Sequence, residues 1–285
     1  MVVRSQPALP ALAASGRARG APMLSAHDPV LHAPVLAAHG IALRYPGASQ
    51  PVLAGLDLTL CAGEIVALLG PSGVGKSSLL HVLAGLATPS AGTVRMHGTT
   101  LTQTHPRVAV AFQNPSLLPW LNLEHNVGFG LDFRHQPQLT RAERRDRVDR
   151  AIAAVGLSHA RRAYPAQLSG GMAQRAALAR CLARNPAVLL LDEPFGALDE
   201  VTRAEMQELL LRLVADRGPA TLLITHDIDE ALMVADRVKL LGGHPAGIIG
   251  EWDIDLPQPR DDALATLGRL RIDSVRTMRA AIRRN

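Results

Sequence analysis

Cysteine is nearly missing from this 285-residue chain, which carries only Cys61 and Cys181. Two thiols cannot build a disulfide framework, and their scarcity suits a reducing cytoplasm. Aromatic residues are also scarce, at 3% of the sequence, so a core must be filled by Leu, Val and Ala. No uncharged apolar run nears the ~18–20 residues that a membrane-crossing helix needs, so any link to a bilayer passes through another chain. Charge of one sign is lacking across the body as well. The net +5 sits at the ends, with three Arg against one Asp in residues 1–34 and seven Arg against four Asp in 255–285. The middle is then neutral. It offers no basic face, and no nucleic-acid partner is expected.

What is present is ordered. Residues 1–34 are rich in Ala, Pro and Ser without sustained periodicity and read as a disordered leader. Arg4 before Pro7-Ala8-Leu9 suggests an export signal, but Pro10 breaks that stretch too early. From Val35 a regular pattern begins, with strands expected at Val35–Arg44, Leu56–Leu60, Glu64–Leu69, Val108–Phe112, Val188–Leu191 and Thr221–Ile224. Helices are expected at Lys76–Ala84, within the charged stretch 140–163, at Gln174–Arg184, and where Val201, Met206, Leu209, Leu210 and Leu213 recur. Strands alternating with helices imply an α/β fold around a parallel sheet. The helical stretch between Gln113 and Arg184 reads as an insertion.

Three motifs carry chemistry. Gly70-Pro71-Ser72-Gly73-Val74-Gly75-Lys76-Ser77-Ser78 follows a strand and opens a helix, the context in which G-x-x-x-x-G-K-S cradles phosphates. Its glycines let backbone N–H groups face phosphate oxygens, Lys76 spans the β- and γ-phosphates, and Ser77 suits Mg²⁺. Asp192-Glu193 ends an apolar strand pointing at the same edge. There an Asp suits Mg²⁺, and a following Glu can deprotonate an attacking water. Leu168-Ser169-Gly170-Gly171-Met172 precedes a helix, so Ser169 can cap it while the glycines leave N–H groups free for an anion.

Together these motifs resemble the ATP-binding-cassette family over roughly Val35 to Gly250. The ordered elements are Tyr45, Gly70–Ser77, Gln113, Leu168–Gln174, Val188–Glu193, Gly196–Asp199 and His226. The resemblance implies a P-loop NTPase (RecA-like) core with an antiparallel β subdomain and an inserted α-helical signature subdomain. It also implies Tyr45 stacking on adenine, His226 contacting the γ-phosphate, and Gln113 as the Mg²⁺ and water ligand that reports to a membrane partner. Ser169, Gly170 and Gly171 then cap the ATP of a second copy of the chain, head to tail, with Gly196–Asp199 at the seam. A finer likeness to the nitrate/sulfonate/taurine importer group rests on Phe112–Trp120, Leu168–Met172 followed by Gln174-Arg175, Pro194–Asp199 and Ile224–Ala231. Val74, Ser78 and Ala173 depart slightly from the usual pattern.

The resemblance therefore implies an ATPase subunit at the cytoplasmic face of the inner membrane, using ATP and Mg²⁺. Its partners would be permease subunits contacted by residues 114–130 and, indirectly, a periplasmic solute-binding protein. Leu117, Leu118, Trp120 and Leu121 concentrate apolar surface there. The organisation expected is 1–34 leader, 35–250 ATP-binding domain with a helical insertion about 114–184, and 251–285 C-terminal helical extension. Leu264, Leu267, Leu270, Val275, Met278 and Ile282 give that extension an amphipathic stripe, expected to pack on its own domain. Two other cargo or function classes stay open: a pyrimidine-precursor importer, and a soluble cassette ATPase outside transport.

Overall fold

The first regular element, β1 (Leu36–Leu43), pairs antiparallel with β2 (Leu53–Leu60), setting Leu36 opposite Leu60. From Leu56 onward β2 alternates: Leu56, Leu58 and Leu60 turn inward while Asp57 faces out. β3 (Ile65–Leu69) is buried on both faces, as suits a central parallel strand, and leads into α1 (Lys76–Leu83). β4 (Ala91–Met96) and β5 (Thr99–Thr100) then complete a four-stranded sheet in the order β2-β1-β4-β5, antiparallel throughout. The structure is a computed structural model that describes residues 33–260 and 263–282, so the expected leader lies, up to residue 32, outside the described residues.

β6 (Val108–Ala111) returns the chain to the second sheet, after which the helical stretch begins. α2 (Leu123–Gly128), α3 (Arg141–Ala154) and α4 (Gly170–Ala183) follow, with short 3₁₀ turns at Ser158–Ala160 and Pro165–Gln167. α3 is started by a reciprocal capping box between Thr140 and Glu143. It stops well short of residue 163, where Gly156 takes a left-handed φ of 71°. α4 starts four residues before the expected Gln174, because Ser169 supplies the cap.

β7 (Val188–Asp192), α5 (Glu200–Arg217), β8 (Ala220–Thr225), α6 (Ile228–Val234), β9 (Arg237–Gly242) and β10 (Gly247–Asp253) finish the second sheet. Its order is β10-β9-β3-β8-β7-β6, parallel except for β10. The two faces of this sheet carry separate apolar layers. Ile65, Ala67 and Leu69 of β3 pack toward the helices, while Val66 and Leu68 pack with α1 and the antiparallel sheet. Strand periodicity alone produces that division.

The last helix, α7 (Leu264–Ile282), packs against α6, β9 and β10 and buries Leu267. Trp252 Nε1 donates to Asp273 at 2.8 Å, and Arg271 Nε to Asp229 at 2.8 Å. Its approach is anchored by Arg260, buried to 1% exposure and donating to the carbonyls of Leu232, Ala235, Ile254 and Leu256. β10 runs continuously across residue 250, the boundary expected between domain and extension.

Candidate functional site

The parallel strands deliver their carboxyl ends to one edge, where open α/β sheets hold ligands. Past β3 the chain must turn sharply before α1, and glycine makes that turn possible. A Cβ on Gly70 would meet the Leu241 carbonyl oxygen at 2.8 Å. One on Gly75, at φ 110°, would meet Val52 Cγ1 at 2.9 Å. The loop curls around Lys76, which is 6% exposed and donates from Nζ to the carbonyls of Gly70 at 2.7 Å and Pro71 at 3.1 Å. Burial pulls the Lys76 ammonium below the ordinary lysine range, against the upward pull of Glu193 and Asp192.

Asp192, the last residue of β7, accepts a hydrogen bond from the Ser77 hydroxyl. Burial lifts its carboxyl above the usual carboxylate range, and the neighbouring Glu193 charge adds to this. The Ser77 bond and the Lys76 and His81 charges oppose it. Glu193 stands at φ 46°, a left-handed backbone uncommon for a residue with a Cβ. Its backbone N–H donates to Ile224 O at 2.9 Å, which pins the turn to β8. Its carboxylate is held from two sides: Gln113 Nε2 donates to Oε2 at 3.1 Å, and His226 Nδ1 lies 3.2 Å from Oε1. β6 ends at Ala111, so Gln113 sits in the loop beyond the strand rather than at its tip.

A cavity of about 490 Å³ is lined by Tyr45, Val52, Ser72, Gly73, Gly75, Lys76, Ser77, Ser78, Gln113 and Glu193, while Gly70, Pro71, Val74, Asp192 and His226 stand outside its lining. That volume is of the ~300–1,000 Å³ order typical of ligand pockets. Tyr45 is 44% exposed at its mouth, with its hydroxyl 3.0 Å from Ser78 Oγ. The sequence reading passed over Val52, an unremarkable Val-Leu pair at the start of a strand. Val74 is buried, and its side chain lies against Gly70.

Ser169, Gly170, Gly171 and Asp199 do not line this cavity. Ser169 Oγ accepts from Met172 N at 3.3 Å and starts α4, and Ser169 and Gly170 are exposed. A Cβ on Gly171 would meet Thr202 Cγ2 at 2.5 Å, so the helix start is pressed onto the first turn of α5. Asp199 caps that turn, accepting from Thr202 N at 3.1 Å. Arg175 and Glu205 pair across the same contact.

The segment after Gln113 is fixed by residues the sequence did not single out. Buried Asn126 donates to the carbonyls of Leu118, Leu121 and Asn122 and accepts from Leu118 N at 2.8 Å. Arg180 donates to the carbonyls of Pro115 and Ser116. Nothing in the sequence marks these two beyond a polar residue inside an apolar helix. Trp120 stays 70% exposed on the loop they hold. Among the described residues no helix is long and apolar enough to cross a membrane.

A phosphate loop between a parallel strand and a helix, with an Asp-Glu pair at the same edge, defines a P-loop NTPase. Residues 53–196 match the ABC transporter family. The taurine import ATP-binding protein TauB of Chromobacterium violaceum is 48% identical over 209 residues, covering 73% of this chain and 79% of that protein. The aliphatic sulfonates import ATP-binding protein SsuB 1 of Xanthomonas axonopodis pv. citri is 47% identical, covering 78% of this chain and 88% of that one. A dimeric ATP-binding cassette solved in a post-hydrolysis state with ADP and phosphate superposes with a TM-score of 0.68 at 28% identity, covering 78% of this chain and all of that one. The chain belongs to the ABC transporter family and is one of its ATPase subunits.

Proposed function

We propose that this chain is the ATP-hydrolysing subunit of an importer for a small oxyanion of the nitrate, sulfonate or taurine kind, working as a head-to-tail pair on the cytoplasmic face of the inner membrane. The observation that carries the reading is the Glu193 carboxylate, held between Gln113 and His226 beside Lys76 and Asp192. In this reading the cassette spans 35–250 with its helical insertion about 114–184, and 251–285 is the extension.

Tyr45 offers its ring to adenine, and the N–H groups of Gly70–Ser78 with the Lys76 ammonium hold the phosphates. Ser77 and Asp192, already hydrogen-bonded to each other, present the hard oxygens that suit Mg²⁺, with Gln113 completing the set. When bound, Mg²⁺ neutralises charge building on the transferring phosphoryl group. Glu193 orients the attacking water and takes its proton, while His226 positions that carboxylate and reaches the γ-phosphate. Ser169, Gly170, Gly171 and Asp199 serve the ATP of the partner copy. Residues 114–130, with Trp120 foremost, dock the permease, and a periplasmic solute-binding protein supplies the cargo.

The test is Glu193→Gln in the full chain. Turnover should fall by roughly 10²–10⁴ while ATP stays bound and the dimer persists on gel filtration. Unchanged hydrolysis would overturn the assignment of Glu193. Co-purification of the permease, followed by ligand screening of its binding protein, identifies the cargo.

A further inference from the structure

His226 lies at the end of β8, and the Gly196–Asp199 loop lies beyond β7. A polar chain joins them, buried at Thr225 and Glu230 and half-buried at Arg203. Glu230, in the first turn of α6, is 5% exposed. One of its oxygens accepts from the Thr225 hydroxyl at 2.6 Å. The other faces Arg203 Nε at 3.5 Å. Thr225 Oγ1 also accepts from Asp227 N at 3.0 Å, so this hydroxyl closes a turn across His226. Arg203 stands one turn past the Asp199 cap of α5 and donates to Leu198 O at 3.1 Å and to Glu200 at 3.2 Å.

Two details argue that the chain does more than fill space. Replacing a buried ion pair by apolar residues is often neutral or stabilising, and a half-buried pair such as this one contributes little more, so stability alone gives weak reason for it here. The Arg203–Glu230 contact is also loose: at 3.5 Å it is an ion pair rather than a hydrogen bond, and the buried Arg203 Nε has no hydrogen-bond acceptor. A shift of about half an ångström would close it to hydrogen-bond distance. α5 is where such a shift would originate, since its first two turns already bear on Gly171, through Thr202, and on Arg175, through Glu205. Burial raises the Glu230 carboxyl above its usual range, while the Thr225 bond and the Arg203 and His226 charges draw it down.

We propose that Glu230 and Arg203 are positioning residues that tie the His226 loop to the Gly196–Asp199 loop, so that pressure on the second loop sets the histidine against Glu193. The proposal rests on the roles given above to His226 and Glu193. Neither Glu230 nor Arg203 touches substrate in it. Their effect passes through the 3.2 Å His226–Glu193 contact, and misplacement of a catalytic group by about 1 Å can cost 10²-fold.

The experiment compares Glu230→Gln, Arg203→Lys and the apolar double variant Arg203→Met/Glu230→Leu in the full chain, with His226→Ala and Glu193→Gln as controls. Glu230→Gln and the double variant should lower kcat about tenfold or more while the ATP Kd stays within about twofold. The double variant should be no worse than the single one, and its melting temperature should stay near wild type. Arg203→Lys, which keeps the charge, should retain most of kcat. If the controls lose turnover and the double variant keeps it, the link is overturned and the reading of the site stands. Losses of kcat and ATP affinity that track a lowered melting temperature would reduce the pair to a structural role and overturn the proposal. Turnover surviving His226→Ala would overturn the proposal together with the role of His226.

Discussion

Two helix starts in this chain are built alike and finished differently. α1 begins after Gly75 and α4 after Ser169, and both leave glycine-flanked N–H groups at the positive end of a helix. The first is surrounded within its own chain by Lys76, Asp192, Glu193, Gln113 and His226. The second has the first turn of α5 beside it at Gly171, and its Ser169 and Gly170 face outward. In the proposed reading the same anion-binding device is completed once in cis and left open once. On that reading a second copy, turned head to tail, gives the open start its anion.

The sharpest way to break that comparison is to damage each start in a different copy. Lys76→Ala and Ser169→Arg should each lower turnover by two orders of magnitude or more, a loss typical of removing a preorganised charge contact. In a mixed dimer one composite site carries both lesions and the other carries neither. Random mixing should therefore restore roughly a quarter of wild-type turnover if the sites act independently in a two-fold pair. Steady-state hydrolysis of the mixture checks this, and a mixture no better than its parents places Ser169 outside the site.

Next in size is Trp120→Ala. The exposed indole sits on a loop braced by Asn126 and Arg180, not on the phosphate edge. Truncating a central aromatic anchor of an interface typically costs 2 kcal/mol or more of binding. Reconstituted transport should fall at least tenfold while hydrolysis by the isolated chain holds. Transport that survives with the complex intact moves the permease contact elsewhere. Tyr45→Ala should act on the first helix start alone, weakening ATP binding by about 1–2 kcal/mol, of the order measured for base–aromatic stacking. Fluorescent-nucleotide titration reads it, and kcat at saturation should hardly change.

The two starts also differ in how far the sequence revealed them. Fixed spacing made Gly70–Ser78 legible, because phosphate geometry permits few alternatives to that run of residue types. Tyr45, Gln113 and His226 were legible only through family likeness, since a lone residue at a strand end carries no signal of its own. The buried braces escaped for a different reason. Lys239, 7% exposed, is satisfied by Glu251 at 2.7 Å across the β9–β10 pair, a partnership that exists only once those strands pair. Arg260 read as tail charge and proved to be a plug in a cage of carbonyls. The left-handed backbone of Glu193 has no sequence signature, because nothing in a glutamate's identity demands φ 46°.

The smallest effect concerns what holds the second helix start in place. Arg161, eight residues before Ser169, donates from Nε and Nη2 to Glu124 at 2.8 Å each and also pairs with Asp149, stitching α2 to α3. That bonding holds the Glu124 carboxyl below its ordinary range, with burial opposing. A depressed carboxylate contributes stability that is complete above its unfolded value and disappears as pH falls through the folded one. Arg161→Ala should therefore cost about 1 kcal/mol near neutrality, a modest figure because both side chains are about a third exposed. The gap between variant and wild type should narrow as pH drops below the ordinary carboxylate range, as read by urea titration. A gap independent of pH would assign the loss to Arg161's packing rather than to its charge pairing with Glu124.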